Sequence, residues 1–447
     1  MGAALLLASC SGTTPSGSAL PDAAASASVA PTPTATPGIG EVVPAPGSAS
    51  SVYAPNPAAI VVAIDPGHGG CLDWGVPDPW DNTEAHSEKA ITLGIGLALR
   101  SLLEAQGITV VMTRTTDVAL AGSDYAPQGC TGDPWRDVNQ DGESGFGPGI
   151  ADAVQTRDEL SARIDLANLA RADVTISIHI NSMTQNGQIY KIAATQTYYT
   201  DALSWADASK RLAQDVQSGV VRAMASTGYA RQDRGVDGTA PYLFILKPPD
   251  PTDPRFPRRG LLMPAILSEV GSISLPTEAA LLVTPAGQQQ EADGVLAGIA
   301  AYLAARPLAV RIDAEIPGGA AGVQPDTVPG SGPPFWAPVL PAPQAGTYRL
   351  TLRLTNTGTQ AWAAGSQLLG GWAPSGMPYL PGAPGGLAPL GDALPALPPG
   401  ASVEVPVSLA APQAAGRDVA WITLRTADGT LLTDVGSAPL QLATAGQ

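Results

Sequence analysis

Ala59-Ile60-Val61-Val62-Ala63-Ile64 is an unbroken apolar run, rich in β-branched residues, that stops at Asp65-Pro66-Gly67-His68-Gly69-Gly70. A run of this kind closed by a turn cluster reads as a buried strand feeding a loop. A strand with no polar face calls for cover on both sides of its sheet. The next segment supplies it. From Glu88, apolar residues fall at Ile91, Ile95, Ala98, Leu99 and Leu102, close to a 3.6 period, and Gly107 stands where a C-cap is expected. Residues 108–114 then read as a second strand, and strand–helix–strand implies a parallel pair with a right-handed crossover.

The alternation continues. A helix is expected over 157–171, a strand over 174–180, a helix over 203–227, strands over 242–246 and 264–270, and a last helix over 285–304. The fold class is therefore α/β, an open and mostly parallel sheet with helices on both faces, spanning 59–305. A polar, Gly-rich insertion interrupts it at 121–157. Residues 306–345 read as a Pro/Gly-rich linker or the start of a second module. Beyond them Tyr348, Leu350, Leu352 and Leu354 share one face of an alternating run, as do Val403, Val405 and Val407, and no helical period occurs. This predicts a C-terminal all-β sandwich over 346–447. Its turns at Asn356-Thr357-Gly358 and Pro398-Pro399-Gly400, with Trp362 and Trp421, resemble an immunoglobulin-like sandwich of the four-tryptophan kind. Trp362, Trp372 and Trp421 could form a sugar-stacking platform, although such residues more often fill a core.

The chain opens MGAALLLASCSG, which resembles the end of a bacterial lipoprotein signal peptide (residues 1–10) with Cys10 as the lipidated first residue. There is no basic n-region and the apolar run is short; an ordinary secretory signal or a plain disordered start are the alternatives. Residues 11–58, almost uncharged and rich in Pro, Ser, Thr and Ala, read as a disordered linker. An exported protein, anchored through Cys10 to the outer face of the cytoplasmic membrane or else secreted, is expected. In that compartment Cys71 and Cys130 suggest one disulfide, with two buried thiols as the alternative. Asp+Glu 39 against Lys+Arg 23 gives a net charge of −16, which argues against a nucleic-acid groove. Inside the insertion, Asp137, Asn139 and Asp141 followed by Gly142 match the first half of a calcium loop, but the twelfth position is Pro148. Bound Ca2+ or a simple polar turn both fit.

The chain has 3 histidines, and two of them stand at strand ends. His68 follows the first strand and His179 ends the third; Glu88 opens the helix near the same edge, where ligands gather in open α/β sheets. Two imidazoles and a carboxylate form the open three-ligand set of a catalytic zinc. Glu269, at the end of a further strand, could serve as general base. A histidine at a strand end is also compatible with a satisfied loop residue. His86 reads as a solvated rim histidine and Glu84 as a decoy for Glu88. Arg163, Asn168 and Asn181 read as structural or supporting residues.

The blocks VVAIDPGHGG (61–70), SEKAITLGIGLALRSLLEAQGITVVMTR (87–114), LSARIDLANLARADVTISIHINS (160–182) and PAILSEVGSISLPTE (264–278) together resemble the zinc-dependent N-acetylmuramoyl-L-alanine amidases of the amidase 3 family. The resemblance implies Zn2+ on His68, Glu88 and His179, with Glu269 as catalytic acid/base. It implies peptidoglycan as substrate, cut between N-acetylmuramic acid and L-alanine. Three departures stand out: the insertion at 121–157, Ser272 where an aromatic is frequent, and a loose fit over 183–262. A degenerate, autoinhibited or regulatory wall-binding protein on this fold is the rival reading, as is a zinc hydrolase acting on another cell-wall bond. The intact four-residue set speaks against degeneracy. The C-terminal module is expected to act as a spacer or to dock the enzyme on the wall or on an envelope protein.

Overall fold

The first strand, β1 (Val61–Pro66), buries all its residues because it is covered twice. Val62 and Ile64 enter one apolar cluster, Val61 and Ala63 another on the opposite face. A computed structural model describes residues 56–121 except 71, 72 and 77; residues 154–315 except 183, 186, 187, 190–192, 240–242 and 250–259; and residues 337–444 except 375–385 and 413–417. Cys10, Cys71, Cys130 and the calcium-loop residues Asp137, Asn139 and Asp141 lie outside the described residues.

After β1 come α1 (Glu88–Glu104), β2 (Thr109–Met112), α2 (Val154–Ala170) and β3 (Val174–Asn181), then a small antiparallel pair of β4 (Thr184–Gln185) and β5 (Gln188–Ile189). β6 (Ala194–Tyr198), α3 (Ala206–Ser226), β7 (Gln232–Asp237), β8 (Ala265–Ser272), α4 (Pro276–Leu282) and α5 (Pro285–Ala304) complete this part. The sheet runs β2-β1-β3-β8-β6-β7, parallel except where β6 meets β8. Ile91, Ile95, Leu99 and Leu103 recur every fourth residue along α1 and are fully buried or nearly so. With α3 and α5 they cover one face; α2 lies on the other.

Two strands of the 6-stranded sheet escape the sequence pattern. β7 is the polar edge segment Gln232–Asp237, exposed over its first half, and β6 carries two threonines and a glutamine among its five residues. Conversely, within the run at 242–246 the described residues form no strand: Phe244–Leu246 is a single 3-10 turn whose Ile245 and Leu246 pack into the cluster beneath α2. Short apolar runs carry no periodicity that separates the two outcomes.

The C-terminal part is all β. β9 (Val310–Glu315), β10 (Val339–Leu340), β11 (Thr347–Asn356), β12 (Gln367–Pro374), β13 (Ala388–Pro389), β14 (Ser402–Ala410), β15 (Asp418–Arg425) and β16 (Leu440–Thr444) form two sheets, β14-β11-β9 and β10-β16-β15-β12-β13. They enclose one apolar cluster to which Tyr348, Leu350, Leu352 and Leu354 contribute, while Arg349 and Arg353 point outward. Trp362 is buried in that core, so no sugar platform forms from it.

The sandwich is fused to the α/β part through a shared interior. Ala373, Val419 and Trp421 join the same cluster as Ile164, Ala167, Leu261, Leu262 and Met263. Buried Arg306 reaches Asp173 Oδ1 at 2.7 Å, and Arg171 reaches Asp313 at 2.6 Å. Asp173 also accepts the Val61 amide at 2.9 Å. These contacts lie at the amino-terminal edge of the sheet, away from the strand ends that carry His68 and His179. Calorimetry should therefore show one unfolding transition for both parts. Trp421→Ala should lower it by about 3–5 kcal/mol; a wild-type protein melting in two separate steps would contradict the shared interior.

Candidate functional site

His68 lies just past β1 with φ 62°, in the left-handed region, and Gly69 and Gly70 follow with positive φ. These three residues turn the chain back on itself, so that Gly69 bridges to Asp73 and the Gly69 amide donates to the Asp73 carbonyl at 2.9 Å. The turn brings Asp73 Oδ1 to 2.7 Å from His68 Nδ1, leaving Nε2 to face the site. Arg163 supports the turn from below: its Nη2 donates to the His68 carbonyl at 2.8 Å and its Nη1 to the Pro66 carbonyl at 2.8 Å.

Glu88 and Lys89 stand side by side at the start of α1 and do different work. Lys89, buried, donates to the Gly70 carbonyl at 2.8 Å and pairs with Asp117 and Glu84. Glu88 turns to the histidines: Oε2 lies 3.1 Å from His68 Nε2, and Oε1 lies 3.0 Å from His179 Nδ1. Backbone amides fix the same carboxylate, Val76 to Oε2 at 2.7 Å and Ile180 to Oε1 at 2.9 Å. Gly75 must be glycine here, since its φ is 73° and a Cβ would come within 2.4 Å of Glu88 Oε2. The two imidazole rings meet edge to face, with centroids 4.8 Å apart.

His68, Glu88 and His179 thus offer three ligand atoms within 4.8 Å of one another, a set that could hold a metal ion. Burial alone would raise the Glu88 pKa, but His68 and His179 outweigh it and hold the carboxylate well below the usual range. Burial would lower the His68 pKa; Asp73 and Glu88 raise it well above its ordinary value instead. Glu269 pairs directly with His179 across β3 and β8. Burial, reinforced by the Glu88 charge, holds its carboxyl well above the ordinary range, with His68 opposing. Glu269 Oε2 is buried and has no hydrogen-bond partner among the described residues. Two nitrogens, one carboxylate and an unpartnered carboxylate oxygen beside them fit a divalent metal with its water.

Residues 62–301, more than half the chain, match the Amidase_3 family, described as N-acetylmuramoyl-L-alanine amidase. The chain belongs to this amidase family. It is 26% identical over 242 residues to the germination-specific N-acetylmuramoyl-L-alanine amidase of Bacillus subtilis (strain 168), covering 54% of this chain and 79% of that one. Among solved structures, it is similar to the CwlD amidase from Clostridioides difficile in complex with the GerS lipoprotein, at 25% identity and TM-score 0.39, covering 55% of this chain and 98% of that one. It is also similar to an N-acetylmuramoyl-L-alanine amidase from Clostridium difficile 630, at 28% identity and TM-score 0.37, covering 56% and 98%.

The remaining residues singled out in the sequence fall outside the three-residue cluster. His86 faces Asp78 at 3.2 Å, and Glu84 pairs with Lys89. Arg163 braces the His68 turn, and Asn168 ties α2 to the Gly260 carbonyl and the Leu262 amide. Ser272 is fully buried, its hydroxyl on Ser274. Asp73 escaped the sequence reading, although an aspartate just beyond the His-Gly-Gly turn is a signal that could have flagged it. Arg231 carried no signal at all. It is buried between Glu278 and Glu291, one cation against two carboxylates.

That imbalance makes a pH prediction. Burial, against the pull of Arg231, pushes the Glu278 pKa up to about 7 from an ordinary 4.5. The folded protein therefore holds a proton that the unfolded chain has released between these values, and stability must fall as pH rises through that window. The slope is at most about 1.4 kcal/mol per pH unit. Melting temperatures from pH 4.5 to 8 should decline accordingly, and Glu278→Gln should flatten the decline; an unchanged slope in the variant would refute it.

Proposed function

We propose that this protein is a zinc-dependent N-acetylmuramoyl-L-alanine amidase that hydrolyses the amide between N-acetylmuramic acid and the L-alanine of the peptidoglycan stem. The observation that carries the reading is the convergence of His68, Glu88 and His179 beside the unpartnered Glu269 oxygen, in a chain of the amidase family. His68 Nε2, His179 Nδ1 and a Glu88 oxygen would hold the zinc. A zinc ion there supplies Lewis-acid polarisation and activates water for attack. Asp73 fixes the His68 tautomer by taking the Nδ1 proton as a hydrogen bond, so that Nε2 carries the free lone pair. The amides of Val76 and Ile180 donate to the Glu88 oxygens and would keep the carboxylate oriented as a zinc ligand.

Glu269 carries the proton. It takes one from the attacking water and delivers it to the departing L-alanine nitrogen, yielding a lactyl carboxylic acid and a free amine. Burial and the Glu88 charge raise its pKa, the direction that makes the carboxylate a stronger proton acceptor than a free one. The enzyme is exported and acts on the wall, anchored through Cys10. The immunoglobulin-like C-terminal sandwich, packed against the catalytic domain at the sheet edge remote from the zinc ligands, is a rigid spacer that stands away from the site.

Digestion of muropeptides by the full chain, followed by mass spectrometry, should release free stem peptide. A chelator such as 1,10-phenanthroline should stop the release and zinc should restore it. Glu269→Gln should lower kcat by about 10²–10⁴-fold while still binding zinc. Products cut at any other bond would overturn the assignment. Asp73→Asn should weaken zinc binding by about 10–100-fold in chelator competition; wild-type affinity in that variant would show that Asp73 does not orient His68.

A further inference from the structure

We propose that Arg231 and Thr195 are positioning residues for the reaction: they hold a β-bulge at Val270 that aims the Glu269 carboxylate at the metal-ligating cluster. The proposal rests on the reading of Glu269 as the proton carrier.

β3 and β8 pair in step as far as His179 opposite Glu269. The next pair is Ile180 with Gly271, so Val270 is one residue extra in β8. A bulge bends its strand and re-aims the neighbouring side chains, which is why bulges recur beside active sites. It also disrupts the backbone ladder, so something else must hold the strand. Here two side chains converge on one carbonyl. The Val270 carbonyl accepts Thr195 Oγ1 at 2.9 Å and Arg231 Nη1 at 2.6 Å.

Arg231 is itself immobilised. Its Nε lies 2.6 Å from Glu278 Oε1, its Nη1 donates to Glu291 Oε2 at 3.0 Å, and its Nη2 pairs with Glu291 Oε1. Glu278 Oε1 in turn accepts the Ser272 amide at 3.0 Å. One buried ion network therefore grips β8 at both 270 and 272, on either side of Gly271. A Cβ at Gly271 would sit 2.9 Å from Glu278 Oε1 and 3.1 Å from Arg231 Nη2, so the strand and the network are in close contact. The Val270 side chain is fully buried in the core, while Glu269 remains partly exposed towards the site. The network meets β8 at the Val270 carbonyl and the Ser272 amide, the stretch directly after Glu269 where the register breaks. Neither residue belongs to the metal-ligating cluster, so both act through the backbone.

Thr195→Val keeps the shape and removes one donor, and Arg231→Lys keeps the charge but loses the fork. The two variants are compared with wild type and Glu269→Gln for zinc affinity, for kcat and KM on a soluble disaccharide-peptide muropeptide, and for amide hydrogen exchange in β8. Thr195→Val should lower kcat about 10-fold with KM and zinc affinity unchanged, and should speed exchange at 270–272 at least 5-fold without change in β1 or β3. Arg231→Lys should do the same more strongly. Wild-type kcat and wild-type exchange in a folded Thr195→Val protein would overturn the proposal, even if Arg231→Lys fails to fold. If Glu269→Gln keeps full activity, the proton-carrier reading fails instead, and that result is separate from the exchange data.

Discussion

The buried ion pair between Asp65 and Arg163 is the contact on which the rest of the catalytic part depends. Asp65 ends the apolar run of β1 and is 1% exposed. Its oxygens take Arg163 Nη1 at 2.7 Å, Thr113 Oγ1 at 2.7 Å and Ser177 Oγ at 2.6 Å. One carboxylate thereby joins β1, the residue after β2, β3 and α2. Burial works against the charge, but Arg163 and the two hydroxyls outweigh it and leave the pKa lowered. Taking one member away would leave an uncompensated charge in the interior, which is far costlier than never having built the pair. The same guanidinium then reaches on to the Pro66 and His68 carbonyls, so the cross-link that aligns the strands also sets the turn that presents His68.

The site trades stability for chemistry. Glu88 and Glu269 are close enough for their charges to repel, and the left-handed backbone at His68 is a conformation that non-glycine residues rarely adopt. These costs are offset nearby. Lys89, Arg114 and Arg163 are each buried and each donate to carbonyls of residues 66–70, the segment that carries the strain. Further along the sheet, Arg231 is a buried cation that donates in the same way to a backbone carbonyl of β8, that of Val270. Cations thus brace the backbone around a set of imidazoles and carboxylates without entering it.

The sandwich extends this division. Its contacts with the α/β part lie at the starts of β1 and β3 and along the cluster beneath α2, so docking it leaves the carboxyl ends of the strands free. Trp421 fills the seam between the two parts, the core role that is the commoner one for such residues, and no sugar platform forms from it. Trp362 likewise belongs to the sandwich core.

Much of this was legible in the chain itself. The apolar run ending in Asp-Pro-Gly-His, the 3.6 period after Glu88 and the alternation after Tyr348 each carry a repeat that only one kind of element satisfies. They settle strand, helix and sandwich, and they set His68, Glu88, His179 and Glu269 near strand or helix ends. Other features have no local signature. β6 and β7 are too polar to read as strands, and 242–246 too short to separate strand from turn. Asp73 could reach His68 only because two glycines adopt positive φ, and Arg231 could reach the Val270 carbonyl only because β6, β7 and β8 are neighbours in space. The residue types of the site are therefore properties of the sequence, since period and turn chemistry act over a few residues. Their aim is a property of the tertiary structure, since each buried charge that holds them finds its partners on other elements of the fold.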